Sequence, residues 1–158
     1  MKKTDDYHEF NPGKYISMLY RHGRCYMDTA MSKFEIGSGQ YTFLFYLYKN
    51  NGASQDEISK ALDIDKATTA RAITKLEDKG FITRETDESD KRVNRIYLTE
   101  KSIEIKEEMI NFSKQWSEII LEDISESEKE NLRSLLYKIS ENASKYKKNR
   151  CRKGEKND

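Results

Sequence analysis

Between Lys66 and Lys79, the residues Ala67, Thr68, Arg71, Thr74, Lys75 and Asp78 recur at the spacing of one side of an α-helix. The opposite side carries Thr69, Ile73 and Leu76, which must point at a core. The outward strip is short, polar, and mostly small or basic. A duplex major groove admits one such helix: small residues let its backbone approach, hydroxyls reach bases or phosphates, and an arginine fork pairs with guanine. Ala67, Thr68 and Arg71 lie toward the N-terminal end, where a recognition helix does most of its base reading. The alternative for Arg71 and Lys75 is an ordinary solvated helix face.

The flanking residues predict how the strip is held. Ser54-Gln55-Asp56-Glu57 is a capping box, a serine with a glutamate three residues on, and opens a helix with Ile58, Ala61 and Leu62 on one face. That helix ends near Leu62. Asp63-Ile64-Asp65 turns the chain, and Asp65 is placed to cap the next helix. Gly80 can take the left-handed conformation that stops this second helix, with Phe81 packing back on its last turn. Phe81–Thr86 and Val93–Thr99 are β-favouring runs around the charged loop Asp87-Glu88-Ser89-Asp90-Lys91-Arg92, the pattern of a hairpin wing. Lys91 or Arg92 at its tip can enter a minor groove, with Asp90 as the brace that fixes Arg92. Ser54, Gln55 and Lys66 are expected to position the unit through phosphates, and Arg95 is counted with the DNA-contacting cations.

This order, LDIDKATTARAITKLEDKGFI followed by DESDKRVNRIYLTEK, resembles the MarR family of winged helix-turn-helix regulators. The resemblance is carried by Asp90 and Arg92 at the wing, Leu98 to Lys101 opening the next helix, and Leu76, Glu77 and Gly80 ending the recognition helix. Family members usually have glycine where this chain has Ser102. The resemblance implies a mainly α fold with a small β-wing, flanked by N- and C-terminal dimerisation helices. It also implies a homodimer, an imperfect palindrome of double-stranded DNA as target, repression as the commoner outcome, and pockets for phenolic or other anionic aromatic effectors that release the DNA.

The expected divisions are 1–36, an N-terminal arm and first dimerisation helix; 37–99, the winged helix-turn-helix; 100–148, C-terminal dimerisation helices; and 149–158, a disordered basic tail. In the first, Pro12-Gly13 marks where order begins, and Ile16, Leu19, Gly23, Tyr26 or Met27, Ala30 and Phe34 keep helical spacing. Gly37-Ser38-Gly39 breaks that helix and Ser38 can cap the apolar helix holding Tyr41 to Tyr48. Thr99 is expected to cap one long helix with a stripe from Ile105 to Ile120, and Ser125 with Glu128 opens another striped by Leu132, Leu135, Leu136, Ile139, Ala143 and Tyr146. Such long stripes need a partner, which points to a second copy of the chain.

Composition excludes a bulk-charge argument. Of 158 residues 35% are apolar and 36% charged, yet the net charge is +1. The sign is segregated: residues 145–158 hold seven Lys or Arg against two acids, and 100–141 hold eleven acids against six bases. Affinity for DNA must therefore come from where the charges sit. No nucleophile with a paired base, glycine-rich phosphate loop or metal cluster is present, so neither an enzyme nor a cofactor is expected. His8 and His22 lack partners at metal spacing. The N-terminus has no apolar leader and no run approaches a membrane span, which points to a cytoplasmic protein. Tyr15, Tyr20, Tyr26 and Tyr41 are candidates for an effector pocket, against the alternative of half-buried packing residues. Cys25, beside Arg21, His22 and Arg24, leaves a thiol-based redox sensor open. The near-neutral wing segment leaves open a winged helix that binds protein instead of DNA.

Overall fold

The computed structural model describes residues 10–37 and 39–154, and of 147–154 the backbone alone. His8, the cap expected of Ser38, and residues 155–158 of the basic tail lie outside the described residues. The described chain divides into two compact units at Trp116/Ser117. None of its helices is long and apolar enough to cross a membrane.

The first unit opens with α1 (Pro12–Met31), where proline occupies the first turn, whose amides have no helical acceptor, and Asn11 accepts from the Lys14 amide. A short 3-10 turn, Ser32–Phe34, ends on Glu35 in the left-handed region. Then follow α2 (Tyr41–Leu47), α3 (Gln55–Leu62) and α4 (Lys66–Asp78). The strands β1 (Ile82–Thr86) and β2 (Asn94–Leu98) pair antiparallel, Ile82 opposite Leu98 and Thr86 opposite Asn94. Gly52 N donates to Ile96 O at 2.9 Å and Ile96 N to Ala53 O at 3.0 Å, so the linker before α3 lies along the free edge of β2. One core joins these pieces: Met31, Leu44, Leu47, Ile58, Ile73, Leu76, Ile96 and Met109 are completely buried.

Two local expectations are corrected. Thr99 stands at the N-cap position but makes no capping bond; its hydroxyl donates to Gly80 O at 2.7 Å, tying the end of β2 to the turn after α4. The long helix expected after it is two, α5 (Glu100–Glu104) and α6 (Lys106–Ile120), interrupted at Ile105. The Ser102 carbonyl, which a continuous helix would offer to the amide of Lys106, accepts from the half-buried Tyr48 hydroxyl at 2.7 Å. Burial pushes that phenol up to about 12. Ser102 itself is fully buried and its hydroxyl donates to Phe81 O, which gives the serine found in place of glycine a partner. The helix α1 buries only its C-terminal end, Met27 and Met31, while Ile16, Leu19 and Tyr20 stay exposed. Gly23 allows α1 to approach α6: a Cβ there would lie 3.1 Å from the Trp116 indole nitrogen, and the Tyr26 and Trp116 rings sit 5.3 Å apart.

The second unit is the end of α6 with α7 (Glu126–Gly154), and it opens on the expected capping box, Ser125 N donating to the Glu128 carboxylate at 2.9 Å. Where a disordered tail was expected from residue 149, α7 continues to Gly154. Leu132, Leu135, Leu136, Ile139 and Tyr146 are all exposed.

Gly52 (φ +85) faces the Tyr97 ring, where a Cβ would come within 2.9 Å, whereas Gly80 (φ +73) faces open space. Gly52→Ala should cost roughly 1–3 kcal/mol of stability in urea unfolding, from strain plus contact. Gly80→Ala should cost about 1–2 kcal/mol, from the left-handed backbone alone. Equal losses would contradict the role given to the Tyr97 contact.

Candidate nucleic-acid interface

Helix α4 is fixed at both ends. The Asp65 carboxylate accepts from the Thr68 amide at 2.8 Å, and Phe81 N returns to Leu76 O at 2.9 Å past the left-handed Gly80. Thr69, Ile73 and Leu76 are completely buried and Ala72 nearly so. The face that remains is the expected one: Ala67, Arg71, Thr74, Lys75 and Asp78 are exposed and Thr68 is half-buried. The helix therefore presents its strip because its other side is occupied.

Within that strip the donors are partly arranged. The Arg71 guanidinium donates to the Thr68 hydroxyl at 3.0 Å, leaning toward the N-terminal end of the helix. The Thr74 hydroxyl accepts from Arg84 at 2.7 Å, and Arg84 pairs with Glu77 at 3.0 Å. Arg84 was not among the expected site residues. It lies on β1 and becomes adjacent to α4 only through the fold. Beside the strip, Gly37, Gly39 and Gln40 line a cleft of about 300 Å³ with Thr68, Arg71, Ala72 and Lys75.

The remaining expected contacts divide. Lys91 is exposed. Arg92 is 91% exposed and held side-on by Asp90, with Nε to Oδ1 at 3.0 Å and Nη2 to Oδ2 at 3.1 Å, which is the bracing geometry expected of that pair. Lys66 is exposed but pairs with Asp56 at 2.9 Å. Gln55 lines a cleft of about 250 Å³ with Ser54, Asp56, Arg92, Val93 and Asn94, which brings the start of α3 beside the wing.

Two residues are placed differently from expectation. Ser54 is only 8% exposed, and its hydroxyl oxygen accepts from Glu57 N at 3.3 Å, so the residue expected at the phosphate also caps α3. Arg95 is not a free cation. Its Nε donates to Asp87 at 2.6 Å, and its Nη1 lies 3.2 Å from Glu57 and 3.4 Å from Gly52 O. Hydrogen bonds from Ser89 and Arg95 hold the Asp87 carboxyl far below the usual carboxylate range, and they raise Arg95 in turn. The sequence signal for Asp87 was the Asp-x-Ser run, in which an aspartate bonds the backbone two residues on.

The four tyrosines occupy separate settings. Tyr15 stacks on Phe10, with ring centroids 6.4 Å apart, and Tyr26 donates to Gln115 at 3.1 Å. Tyr41 meets Phe45 edge-on, and burial, with the nearby Asp28 and Tyr20, raises its phenol. Tyr20 lines an open cleft on α1 of about 440 Å³ with Arg21, Arg24, Cys25, Asp28 and Thr29. Cys25 is a free, exposed thiol.

With this geometry in view, the chain matches the family described as "MarR family" over residues 36–93. It is 31% identical over 126 residues, 79% of this chain and 88% of the relative, to the HTH-type transcriptional regulator BilQ of Clostridium symbiosum. Among solved structures it is similar to a MarR transcriptional regulator from Methanosarcina mazei Go1, with 40% identity, 85% and 96% of the two chains covered, and a TM-score of 0.80. It is also similar to MepR of S. aureus in a complex with DNA, with 27% identity, 85% and 99% coverage, and a TM-score of 0.79.

Asp65 is held below the usual carboxylate range, first by the amide hydrogen bond from Thr68. A depressed carboxyl adds stability above its unfolded-state value and loses it as pH falls through the folded value. Asp65→Ala should lower the thermal midpoint at neutral pH, and the gap from wild type should close below about pH 4. A gap that stays constant into acid would remove the charged cap from the account of α4.

Proposed function

The chain belongs to the MarR family of transcriptional regulators, and from that premise we propose that it is a homodimer that binds an imperfect palindrome of double-stranded DNA through α4 and the β1–β2 wing. As a member of a family of transcriptional regulators it is not an enzyme. The observation that carries the proposal is the exposed strip of α4, Ala67, Thr68, Arg71, Thr74 and Lys75, lying opposite a face that is completely buried. MepR, a relative of matching fold, is solved in a complex with DNA, which supports DNA as the partner in this reading.

In this reading Arg71, Thr68 and Ala67 read base edges. Lys75, Lys66, Gln55 and Lys91 position the helix on phosphates, and Arg92, braced by Asp90, enters the flanking minor groove. Two copies related by a two-fold set their recognition helices about 34–36 Å apart, the pitch of successive major grooves. The apolar residues left exposed on α1 and, separately, on α7 are what the second copy covers. Repression in the cytoplasm, relieved when a small aromatic or anionic effector shifts the two reading heads, completes the reading. Tyr20 and Tyr41, near Asp28 and Arg24, are its candidate effector contacts, and Tyr15 and Tyr26 lie in other settings.

Selection from random duplexes should recover a palindrome, and binding to it should fall steeply between about 50 and 200 mM salt as phosphate contacts release counterions. Arg71→Ala should relax specificity at one base pair by about 1–3 kcal/mol, whereas removing a backbone-positioning cation such as Lys75 should weaken all sequences alike. A flat salt response would favour the rival protein-binding module, whose best support is the pairing of Lys66, Arg84 and Arg92 with carboxylates.

Sedimentation should give a dimer at micromolar concentration, and Leu136→Glu should dissociate it. A dilute monomer that still binds the selected duplex tightly would refute the two-fold arrangement.

A further inference from the structure

Arg92 hangs at the end of a continuous chain of polar contacts that begins inside the first unit. The Glu57 carboxylate is fixed by Ser54 N at 2.7 Å, as half of the capping box of α3. From Glu57 the chain passes to Arg95 Nη1 at 3.2 Å, and from Arg95 Nε to Asp87 Oδ2 at 2.6 Å. The other oxygen of Asp87 accepts from the amides of Ser89, at 2.8 Å, and Asp90, at 3.2 Å. Asp90 then accepts the Arg92 amide at 3.1 Å and holds its guanidinium side-on. The Asp87 side chain is 14% exposed and that of Arg95 35%, against 91% for Arg92. The middle of the chain, at Asp87 and Arg95, is thus the sheltered part, while Glu57, whose side chain is 56% exposed, and Arg92 are open to solvent.

We propose that Arg95 and Asp87 are positioning residues for DNA binding: they transmit the fixed orientation of the α3 cap to the wing tip and so set where Arg92 stands relative to α4, without touching DNA themselves. A two-stranded hairpin alone is marginal in water, so a wing of this size needs an anchor beyond its own ladder. The edge pairing of Gly52 and Ala53 with Ile96 anchors the middle of β2. The Arg95–Asp87 contact carries that anchoring into the loop beyond it, where the backbone is otherwise closed by Asp87 N donating to Val93 O at 2.9 Å. Free of that contact, Arg92 would keep its partner Asp90, but the pair would move as a unit and lose rotational freedom only on docking. The inference rests on the reading of α4 and the wing as a DNA-binding surface.

A double-mutant cycle on the full chain tests it, using a duplex that the wild-type protein selects from random sequence. Arg95→Ala and Arg92→Ala should each weaken binding by about tenfold, and the double variant should bind no worse than Arg92→Ala alone, a coupling that only acting through Arg92 produces. Asp87→Asn, which keeps an oxygen for the Ser89 amide but loses the charge opposite Arg95, should repeat the pattern when binding is measured at a temperature where circular dichroism shows every variant fully folded. The salt dependence should drop by the same amount in Arg95→Ala, Arg92→Ala and the double variant. Losses that multiply would mean Arg95 meets DNA directly or acts through overall stability, and would overturn the proposal with DNA binding intact. Absence of salt-sensitive binding by the wild type would overturn the underlying reading, and this inference with it.

Discussion

The structure turns on the complete burial of one side of a thirteen-residue helix. Thr69, Ile73 and Leu76 leave α4 no rotational freedom about its axis, because turning it by one residue would bring polar Thr68 or Thr74 into the core and expose an apolar one. The caps at Asp65 and Gly80 fix its translation in the same way. A strip of small and basic residues becomes a reading surface only when its rotation is decided by something other than the ligand. Here the hydrophobic core decides it.

The second constraint is electrostatic and works by commitment more than by quantity. With a net charge of +1 the chain has no surplus of cations to spread over a duplex. Lys66, Arg84, Arg92 and Arg95 each face a carboxylate, and all but Arg95, which is tied to three groups, hold it through exposed or half-exposed pairs. Exposed pairs contribute little to stability, so their effect is to orient cations and to lower the non-specific attraction that free ones would exert. The cations on the α4 strip itself, Arg71 and Lys75, are held by no carboxylate ion pair among the described residues, and Arg71 donates instead to the Thr68 hydroxyl. On the proposed DNA-binding reading, sequence-independent affinity is therefore restrained while the N-terminal end of α4 stays available.

Much of this was legible in the chain. The Ser54–Glu57 box, the Asp65 cap, the Gly80 stop and the period of Thr69, Ile73 and Leu76 are local signals, each decided within four residues, and each is found in place. What the sequence did not disclose is what tertiary contact reassigns. Ser54 reads equally well as a cap or as a phosphate ligand by its type, and only the fold shows the capping bond and the 8% exposure. Arg95 looks like one more wing cation until Glu57, 38 positions away, is found beside it. Thr99 is a good cap by type, and only the nearness of the Gly80 carbonyl diverts its hydroxyl. The break at Ile105 depends on Tyr48, which no helical period in α5 or α6 reports.

The apolar residues on α1 and α7 extend this logic beyond one chain. On α1, Ile16, Leu19 and Tyr20 repeat at helical intervals yet remain exposed, and within the second unit Leu132, Leu135, Leu136 and Ile139 do the same. Single exposed leucines need no explanation, but regular stripes on two helices do, since each turn forgoes burial worth roughly 1.5–3 kcal/mol per side chain. A reading strip of this size makes few base contacts, too few to pick one site among the many a genome offers. Doubling the strip by symmetry multiplies discrimination without adding charge, so in the proposed homodimer the covering of these stripes by a second copy and the near-neutral composition become two aspects of one solution.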